Sequence, residues 1–194
     1  MPKAKRGATA KRRSAKSQDA IALLKADHRQ VEEWFEQFES TRSSSRKSDL
    51  AQKICSALKT HTTIEEEIFY PAFLEASEEE DIHHEAEVEH DGAKKLIAEI
   101  EAAGPDDDYF DARVTVLSEM IKHHVREEEK RDGMFAKARA AGMDLQVLGE
   151  QLAERKAQID SGGAGAGMRS RRSSGTGAAR RTLELIGKGA RNAH

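Results

Sequence analysis

Two segments of this chain carry the same pair of side chains at the same spacing. His61 and Glu65 are four residues apart, and His124 and Glu128 repeat the arrangement. Residues four apart lie one above the other on a helix, with about 5–6 Å between their Cβ atoms. In both segments that face is otherwise apolar, and a buried carboxylate without a partner is costly. The pattern therefore favours a bound metal ion over a solvated histidine–glutamate hydrogen bond.

Two more histidines lie on apolar helical faces. His28 falls between Leu24 and Val31, and His90 is in register with Ala86. One such histidine alone is more often a hydrogen-bonded core residue than a ligand. However, all four histidines lie about 10–15 residues into their predicted helices, close to each midpoint at about 1.5 Å per residue. In a bundle of alternating helices, the midpoints meet in one layer.

The predicted metal site thus combines four imidazoles with two carboxylates. The candidate ligands are His28, His61, Glu65, His90, His124 and Glu128. Six ligands exceed the needs of one four-coordinate ion and suit two ions that share carboxylates. Nitrogen and oxygen ligands without a thiolate favour iron or manganese, with zinc as the competing metal.

Other titratable residues fit the layer less well. His123 is predicted to point away from the apolar stripe. His83 lies two turns from His90, roughly 10 Å along the axis, which is too far for a compact centre. Glu87 is either a further ligand or part of an acidic surface, and the surface is the favoured interpretation.

Apolar periodicity predicts the helices that position these residues. Four long helices cover residues 17–39, 49–76, 77–103 and 109–141, and a shorter fifth covers 144–159. Ser48, Ser77 and Asp144 are the predicted N-terminal caps, and Pro71 is expected to kink or end the second helix. The expected fold is all-α, an up-down-up-down four-helix bundle.

The two ends of the chain differ in charge from its middle. Residues 1–18 and 161–194 hold fourteen of the 32 Lys and Arg residues but only one of the 35 Asp and Glu residues. The remaining 18 basic and 34 acidic residues give segment 19–160 a formal charge of about −16. Both ends are rich in Ala, Gly and Ser, a composition that predicts disorder.

Four regions are therefore predicted: a basic N-terminal tail (1–18), the bundle (19–141), an accessory helix (142–160) and a basic C-terminal tail (161–194). Basic tails of this kind can contact nucleic acid phosphates without reading sequence. The favoured alternative is a solubilising or self-associating arm drawn to the acidic body.

Composition also excludes several classes of protein. The single cysteine, Cys55, cannot form an internal disulfide and is expected to be a packing residue. No apolar run approaches the roughly 20 residues of a membrane span, and no hydrophobic stretch follows the charged N-terminus. The expectation is a cytoplasmic protein without membrane contact, of undetermined oligomeric state.

The motifs resemble those of the hemerythrin HHE cation-binding domain, bacterial type, over about residues 19–140. The matching segments are Ala26-Asp-His28-Arg, His61-Thr-Thr-Ile-Glu65, Glu89-His90 and His124-Val-Arg-Glu-Glu128. The resemblance implies a centre of two non-haem irons bound by the six candidate ligands. Ala86 stands where oxygen-carrying hemerythrins have a further histidine, which disfavours reversible oxygen carriage.

Three functions are compatible with such a centre. The first is a protein that binds or senses oxygen, nitric oxide, peroxide or iron. The second is a di-iron enzyme with catalase-like or nitric-oxide-reducing activity. A ferritin-like iron oxidase or store ranks third, because it requires Glu-x-x-His motifs on two helices and only Glu87 and His90 provide one.

Overall fold

The structure, a computed structural model, describes residues 18–169, with residues 163–169 described only in their backbone. Within this range the chain forms helices and no strands. The helices are α1 (Ala20–Ser40), α2 (Ser44–Ile64), a π-helical turn (Glu65–Phe69), α3 (Tyr70–Ala76), α4 (Glu80–Ala103), α5 (Phe110–Glu129), α6 (Met134–Ala140) and α7 (Leu145–Arg169). Residues 1–17 and 170–194, most of both predicted tails, lie outside the described residues.

The four long helices of the bundle, α1, α2, α4 and α5, close into a ring. Helix α1 packs against α2 and α5, and α4 packs against the same two helices from the other side. This arrangement confirms the predicted all-α bundle. It also gives each long helix two neighbours, so that side chains from four directions meet on the axis.

The interior consists of two hydrophobic clusters with polar residues between them. One cluster includes Val31, Phe35 and Leu58, and the other includes Leu24 and Phe73. The candidate ligand of each helix falls between residues of the two clusters in sequence. The bundle therefore buries a polar layer with apolar residues on both sides of it.

Several predicted helix boundaries were wrong. Helix α2 begins before Ser48, because the Ser43 side chain accepts a hydrogen bond from the Arg46 backbone N–H at 3.4 Å. Ser77 ends α3 instead of opening the next helix, since its hydroxyl donates to the Phe73 carbonyl at 2.8 Å.

The predicted fourth helix is interrupted after Glu129. Gly133 in the connection passes so close to α5 that a Cβ there would lie 2.2 Å from the Glu127 carbonyl oxygen. Asp144 caps α7 as predicted, accepting from the Val147 N–H at 3.1 Å. Helix α7 continues beyond the expected end near residue 159 to Arg169.

The second helix passes Pro71 through a π-helical turn. Pro71 lacks an N–H, and its ring would clash with a carbonyl of the preceding turn of a regular helix. In the wider turn, the Tyr70 N–H bonds to the Glu65 carbonyl five residues earlier. The extra residue rotates the following segment, so Tyr70 is buried on the face that begins with Glu65.

The chain divides into two compact units after Asp160. The first contains the bundle, and the described part of the second is the helical stretch from Ser161 to Arg169. None of the described helices is long and apolar enough to cross a membrane.

Candidate metal centre

All six candidate ligands lie in the buried polar layer, and none is more than 5% exposed. Helix α1 contributes His28 and α2 contributes His61, with Glu65 opening the π-helical turn. Helix α4 contributes His90, and α5 contributes the remaining pair. The structure therefore brings together every residue of the predicted set.

The ligand atoms form two groups, each with its atoms within 4.8 Å of one another. One consists of His28, His61, Glu65 and Glu128, and the other of Glu65, His90 and His124. Glu65 belongs to both. Its Oε2 lies 3.2 Å from His61 Nε2 and 3.5 Å from His90 Nε2. Glu128 also faces both groups, at 3.4 Å from His28 and 3.7 Å from His124.

The imidazoles face each other in pairs through their Nε2 atoms. These atoms are 3.0 Å apart between His28 and His61, and 3.1 Å apart between His90 and His124. In a pair of neutral rings that both carry the proton on Nδ1, two nitrogen lone pairs would point at one another. A cation between them would accept both lone pairs.

Carboxylates behind the rings favour that tautomer. Glu129 lies 2.9 Å from His28 Nδ1, Glu66 lies 2.9 Å from His90 Nδ1, and Glu89 lies 2.7 Å from His124 Nδ1. Asp27 lies 3.7 Å from His61 Nδ1, longer than a hydrogen bond. An ionised carboxylate only accepts hydrogen bonds, so it holds the proton on Nδ1 and leaves Nε2 for a metal. We call Asp27, Glu66, Glu89 and Glu129 the outer carboxylates.

The two central glutamates cannot easily be charged together. Burial, and then the charge on Glu65, raise the pKa of Glu128 well above its usual range. Burial also opposes charge on Glu65, but nearby His61 outweighs it and lowers the pKa of Glu65. The layer by itself thus stabilises one carboxylate charge rather than two.

His61 and His90 respond differently to the same layer. Burial opposes charge on His61, but Glu65 beside it raises the pKa of His61 to about 10. Burial lowers the pKa of His90 to about 4. The layer by itself therefore favours the charged form of His61 and the neutral form of His90.

Unsatisfied polar atoms show that the donor set fits divalent cations. Both carboxylate oxygens of Glu65 and Oε2 of Glu128 are buried without a hydrogen-bond partner among the described residues. Such atoms are rare in folded proteins and destabilise them. Cations bound to these oxygens and to the imidazole Nε2 atoms would satisfy them and let both carboxylates ionise.

Comparison with known proteins identifies the family of the bundle. Residues 19–136 match the hemerythrin HHE cation binding domain. This chain belongs to that family. The match begins just before α1 and ends within α6, so it covers all four long helices of this HHE domain.

Two further proteins are similar to parts of the chain. A crystal structure of a hemerythrin HHE cation binding domain-containing protein from Mycobacterium kansasii aligns with a TM-score of 0.63 and 22% identity. The alignment covers 79% of this chain and 94% of that one, and at this identity it shows the fold. A DNA nickase from Nostoc sp. is 28% identical over 107 residues, which span 55% of this chain but only 30% of the nickase.

Three side chains that were not predicted to be ligands lie outside both groups of ligand atoms in this HHE domain. His123 is half exposed and contacts Glu89 at 3.2 Å. His83 is buried, with its ring 5.6 Å from that of Tyr70. Glu87 is exposed, 3.6 Å from His83 Nε2.

The outer carboxylates were not predicted from the sequence, although a signal for them exists. Each is adjacent in sequence to a candidate ligand on its own helix, as Glu66 is to Glu65. Adjacent helical residues point in different directions, so the acid next to each candidate ligand can reach a histidine on the neighbouring helix. The four contacts together connect every neighbouring pair in the ring of long helices.

Tyr70 was also missed. Its hydroxyl lies 3.2 Å from His90 Nε2 and donates to Glu128 Oε1 at 3.3 Å. Burial raises the pKa of Tyr70 well above its usual value, so the hydroxyl keeps its proton. Regular helical spacing from Glu65 does not point to this residue, because the π-helical turn brings it there.

A small cavity reaches the centre beside Ala86. It has a volume of about 40 Å³, and its lining includes Ala86, Glu89, His124 and Glu128. A cavity needs roughly 10–15 Å³ to hold a water molecule, so this one has room for a diatomic molecule or peroxide. It reaches the centre at His124, which belongs to the group with three members, and at Glu128, which belongs to the group with four.

Proposed function

We propose that this HHE domain binds two non-haem iron ions through His28, His61, Glu65, His90, His124 and Glu128. The shared position of Glu65 carries the proposal, because one carboxylate that belongs to two buried donor groups suits a pair of ions. Imidazole and carboxylate donors without a thiolate favour iron over softer metals. Iron, when bound, supplies exchange between the ferrous and ferric states and an open coordination position.

Metal counting after anaerobic reconstitution with ferrous iron tests this proposal. We expect about two irons per chain, since two donor groups are present. Glu65→Gln should weaken the binding of both irons, because this side chain belongs to both donor groups. Glu119→Gln, at an exposed position on α5, is the matched control and should leave the count unchanged. Saturation at one ion, or preference for zinc over iron in competition, would contradict a di-iron centre.

For the centre's function, we propose that it binds or senses a small molecule such as oxygen, nitric oxide or peroxide. The cavity beside Ala86 supports this, because it connects a small volume to His124 and Glu128. His90 and His124 would hold the metal nearest the cavity. Glu89, bonded to His124 Nδ1, would hold that ring in place as a molecule binds.

Turnover at the same position is the second candidate, supported by the same cavity and by the Tyr70 hydroxyl, which donates to Glu128. In a catalase-like reaction, one peroxide is oxidised to oxygen while another is reduced to water, and two protons move with the electrons. Oxygen release from the iron-loaded protein on adding peroxide, absent from the metal-free protein, would favour the enzyme. Optical changes without oxygen release would favour binding or sensing.

Substitution at Ala86 tests whether the cavity gives access to the centre. Ala86→His would place an imidazole in the cavity, and we expect slower autoxidation of the reduced protein. Ala86→Leu fills similar space without a ligand atom, so it separates blocked access from added ligation. Autoxidation rates unchanged in both variants would show that small molecules reach the centre by another route.

Neither nucleic-acid contact by the tails nor a nickase activity is part of this proposal. The tails lie largely outside the described residues, and the chain spans less than a third of the nickase that it resembles.

A further inference from the structure

The four outer carboxylates differ in what lies behind them. Glu129 is bound by Lys25 at 2.9 Å and by Arg29 at 2.7 Å. Glu66 is bound by Lys94 at 2.6 Å, and Asp27 is bound by Lys156. These three are therefore neutralised by permanent cations.

Glu89 has a different partner. Apart from His124, it contacts His123, whose Nε2 lies 3.2 Å from Glu89 Oε1. The His123 side chain is 51% exposed, and an imidazole, unlike an ammonium group, offers a lone pair to a metal. Glu89 thus contacts a potential metal ligand, whereas the other three outer carboxylates contact a Lys or Arg with a permanent positive charge.

Glu89 and His123 belong to a third group of possible metal ligands. Glu85, Glu89 and His123 each offer a ligand atom within 4.8 Å of the other two. Glu85 and Glu89 are one turn apart on α4, and His123 comes from α5. Two oxygens and one nitrogen from neighbouring helices, with open positions towards solvent, are a donor set suited to a divalent cation that keeps part of its water.

The cavity beside Ala86 connects this group to the interior. Its lining includes Glu85 and Glu89 from the surface group and His124 and Glu128 from the buried centre. Glu128 is 2% exposed, and its Oε2 has no hydrogen-bond partner among the described residues. A cation held at the surface group therefore lies beside a cavity whose lining also includes two residues of the buried centre, one of which carries an unpaired buried oxygen.

The charges at the mouth also favour a cation. Lys130 lines the cavity, but it forms an ion pair with Glu127. The carboxylates of Glu85 and Glu89 therefore give the mouth of the cavity a net negative charge. A cleft lined by one sign of charge concentrates ions of the other sign and raises their association rate by about 10–10³-fold.

We propose that Glu85, Glu89 and His123 form a surface binding site for a divalent cation and that metal ions enter the buried centre from it. The surface site stands on its own geometry. Its role in loading rests on the proposed di-iron function. Glu89 connects the two sites, because its second oxygen is bonded to His124 Nδ1.

The double variant Glu85→Gln/His123→Asn tests the proposal and leaves Glu89 in place. The control, His84→Asn/Glu87→Gln, removes one exposed imidazole and one exposed carboxylate from α4, and neither residue lines the cavity. Circular dichroism checks that both fold. Iron-loaded proteins are titrated with Mn²⁺ and followed by electron paramagnetic resonance, and metal-free proteins are mixed anaerobically with ferrous iron to measure its uptake rate.

Wild type and control should bind an additional Mn²⁺, and the double variant should lose it. Ferrous iron uptake should slow by about tenfold or more in the double variant, with the final iron content unchanged. If wild type binds no more Mn²⁺ than the double variant, the surface site is overturned. Unchanged uptake after loss of that site would overturn its loading role. If wild type never takes up two irons, the di-iron function fails, and Mn²⁺ titration of the metal-free protein still decides the surface site.

Discussion

Glu66 Oε1 lies 2.9 Å from His90 Nδ1, so the acid next to one candidate ligand orients a second candidate ligand on another helix. Helical spacing in the sequence predicts that Glu66 points off the apolar stripe and matters less for metal binding than Glu65. The structure shows that Glu66 is coupled to the layer through His90 and is fixed from behind by Lys94.

The first prediction concerns this outer contact. Glu66→Gln should weaken metal binding by about 10–100-fold, because an amide holds the His90 ring and its proton less firmly than a carboxylate. Glu67→Gln is the neighbouring control, since Glu67 is paired with Arg155 on the surface. Competition with a coloured chelator measures both affinities. Equal affinities in the two variants would show that His90 does not depend on Glu66.

The second prediction concerns the Tyr70 hydroxyl. In the metal-free protein, Tyr70→Phe leaves Glu128 Oε1 without its donor, so the free energy of unfolding should fall by about 1–3 kcal/mol. In the metal-loaded protein the loss should be smaller, because Glu128 then binds a cation. Tyr109→Phe, at a position 68% exposed, is the control and should be neutral in both states. A loss that is the same with and without metal would contradict the link between Tyr70 and the centre.

The third prediction uses the close approach of Gly133 to α5. A Cβ at residue 133 would lie 2.7 Å from the Glu128 carbonyl oxygen, so Gly133→Ala should shift the end of α5 and weaken metal binding. We expect destabilisation of about 1–3 kcal/mol. Gly149→Ala is equally obstructed, at 2.3 Å from the Gln18 carbonyl oxygen, but the obstructing backbone belongs to the start of α1 instead of the end of α5. It should destabilise the fold and leave the metal affinity of the folded protein unchanged, as isothermal titration would show.

The fourth prediction concerns acid stability. Burial by itself raises the pKa of Glu129, but hydrogen bonds from His28, Lys25 and Arg29 outweigh it and hold the value at about 2. Because the folded value lies below the ordinary value of 4.5, the stabilisation from Glu129 is complete above pH 4.5 and is lost as the pH falls to about 2.

Unfolding of the metal-free protein in urea at several pH values measures this effect. Wild type should lose stability more steeply than Glu129→Gln between pH 4.5 and 2. Glu36→Gln, at an exposed position on α1, is the control and should follow wild type. Parallel curves for wild type and Glu129→Gln would mean that the contacts of Glu129 add no stability.

The sequence by itself determined the fold class and brought the six candidate ligands into one layer. His61 with Glu65, and His124 with Glu128, repeat the period of a helix on otherwise apolar faces, and that period is a local property of the chain. Burial of those faces leaves few arrangements for four helices of similar length. For this reason a bundle with the histidines at one depth could be predicted without coordinates.

Only the tertiary structure decided what surrounds those ligands. Glu66 and Glu89 reach histidines on neighbouring helices, and the pairing of helices is not encoded by the spacing within either one. Tyr70 enters the layer because a π-helical turn accommodates Pro71. That turn rotates the following residues about the helix axis, and regular helical spacing does not predict the rotation. The cavity beside Ala86 depends likewise on how α4 and α5 pack, because a space between helices has no pattern in the sequence of either.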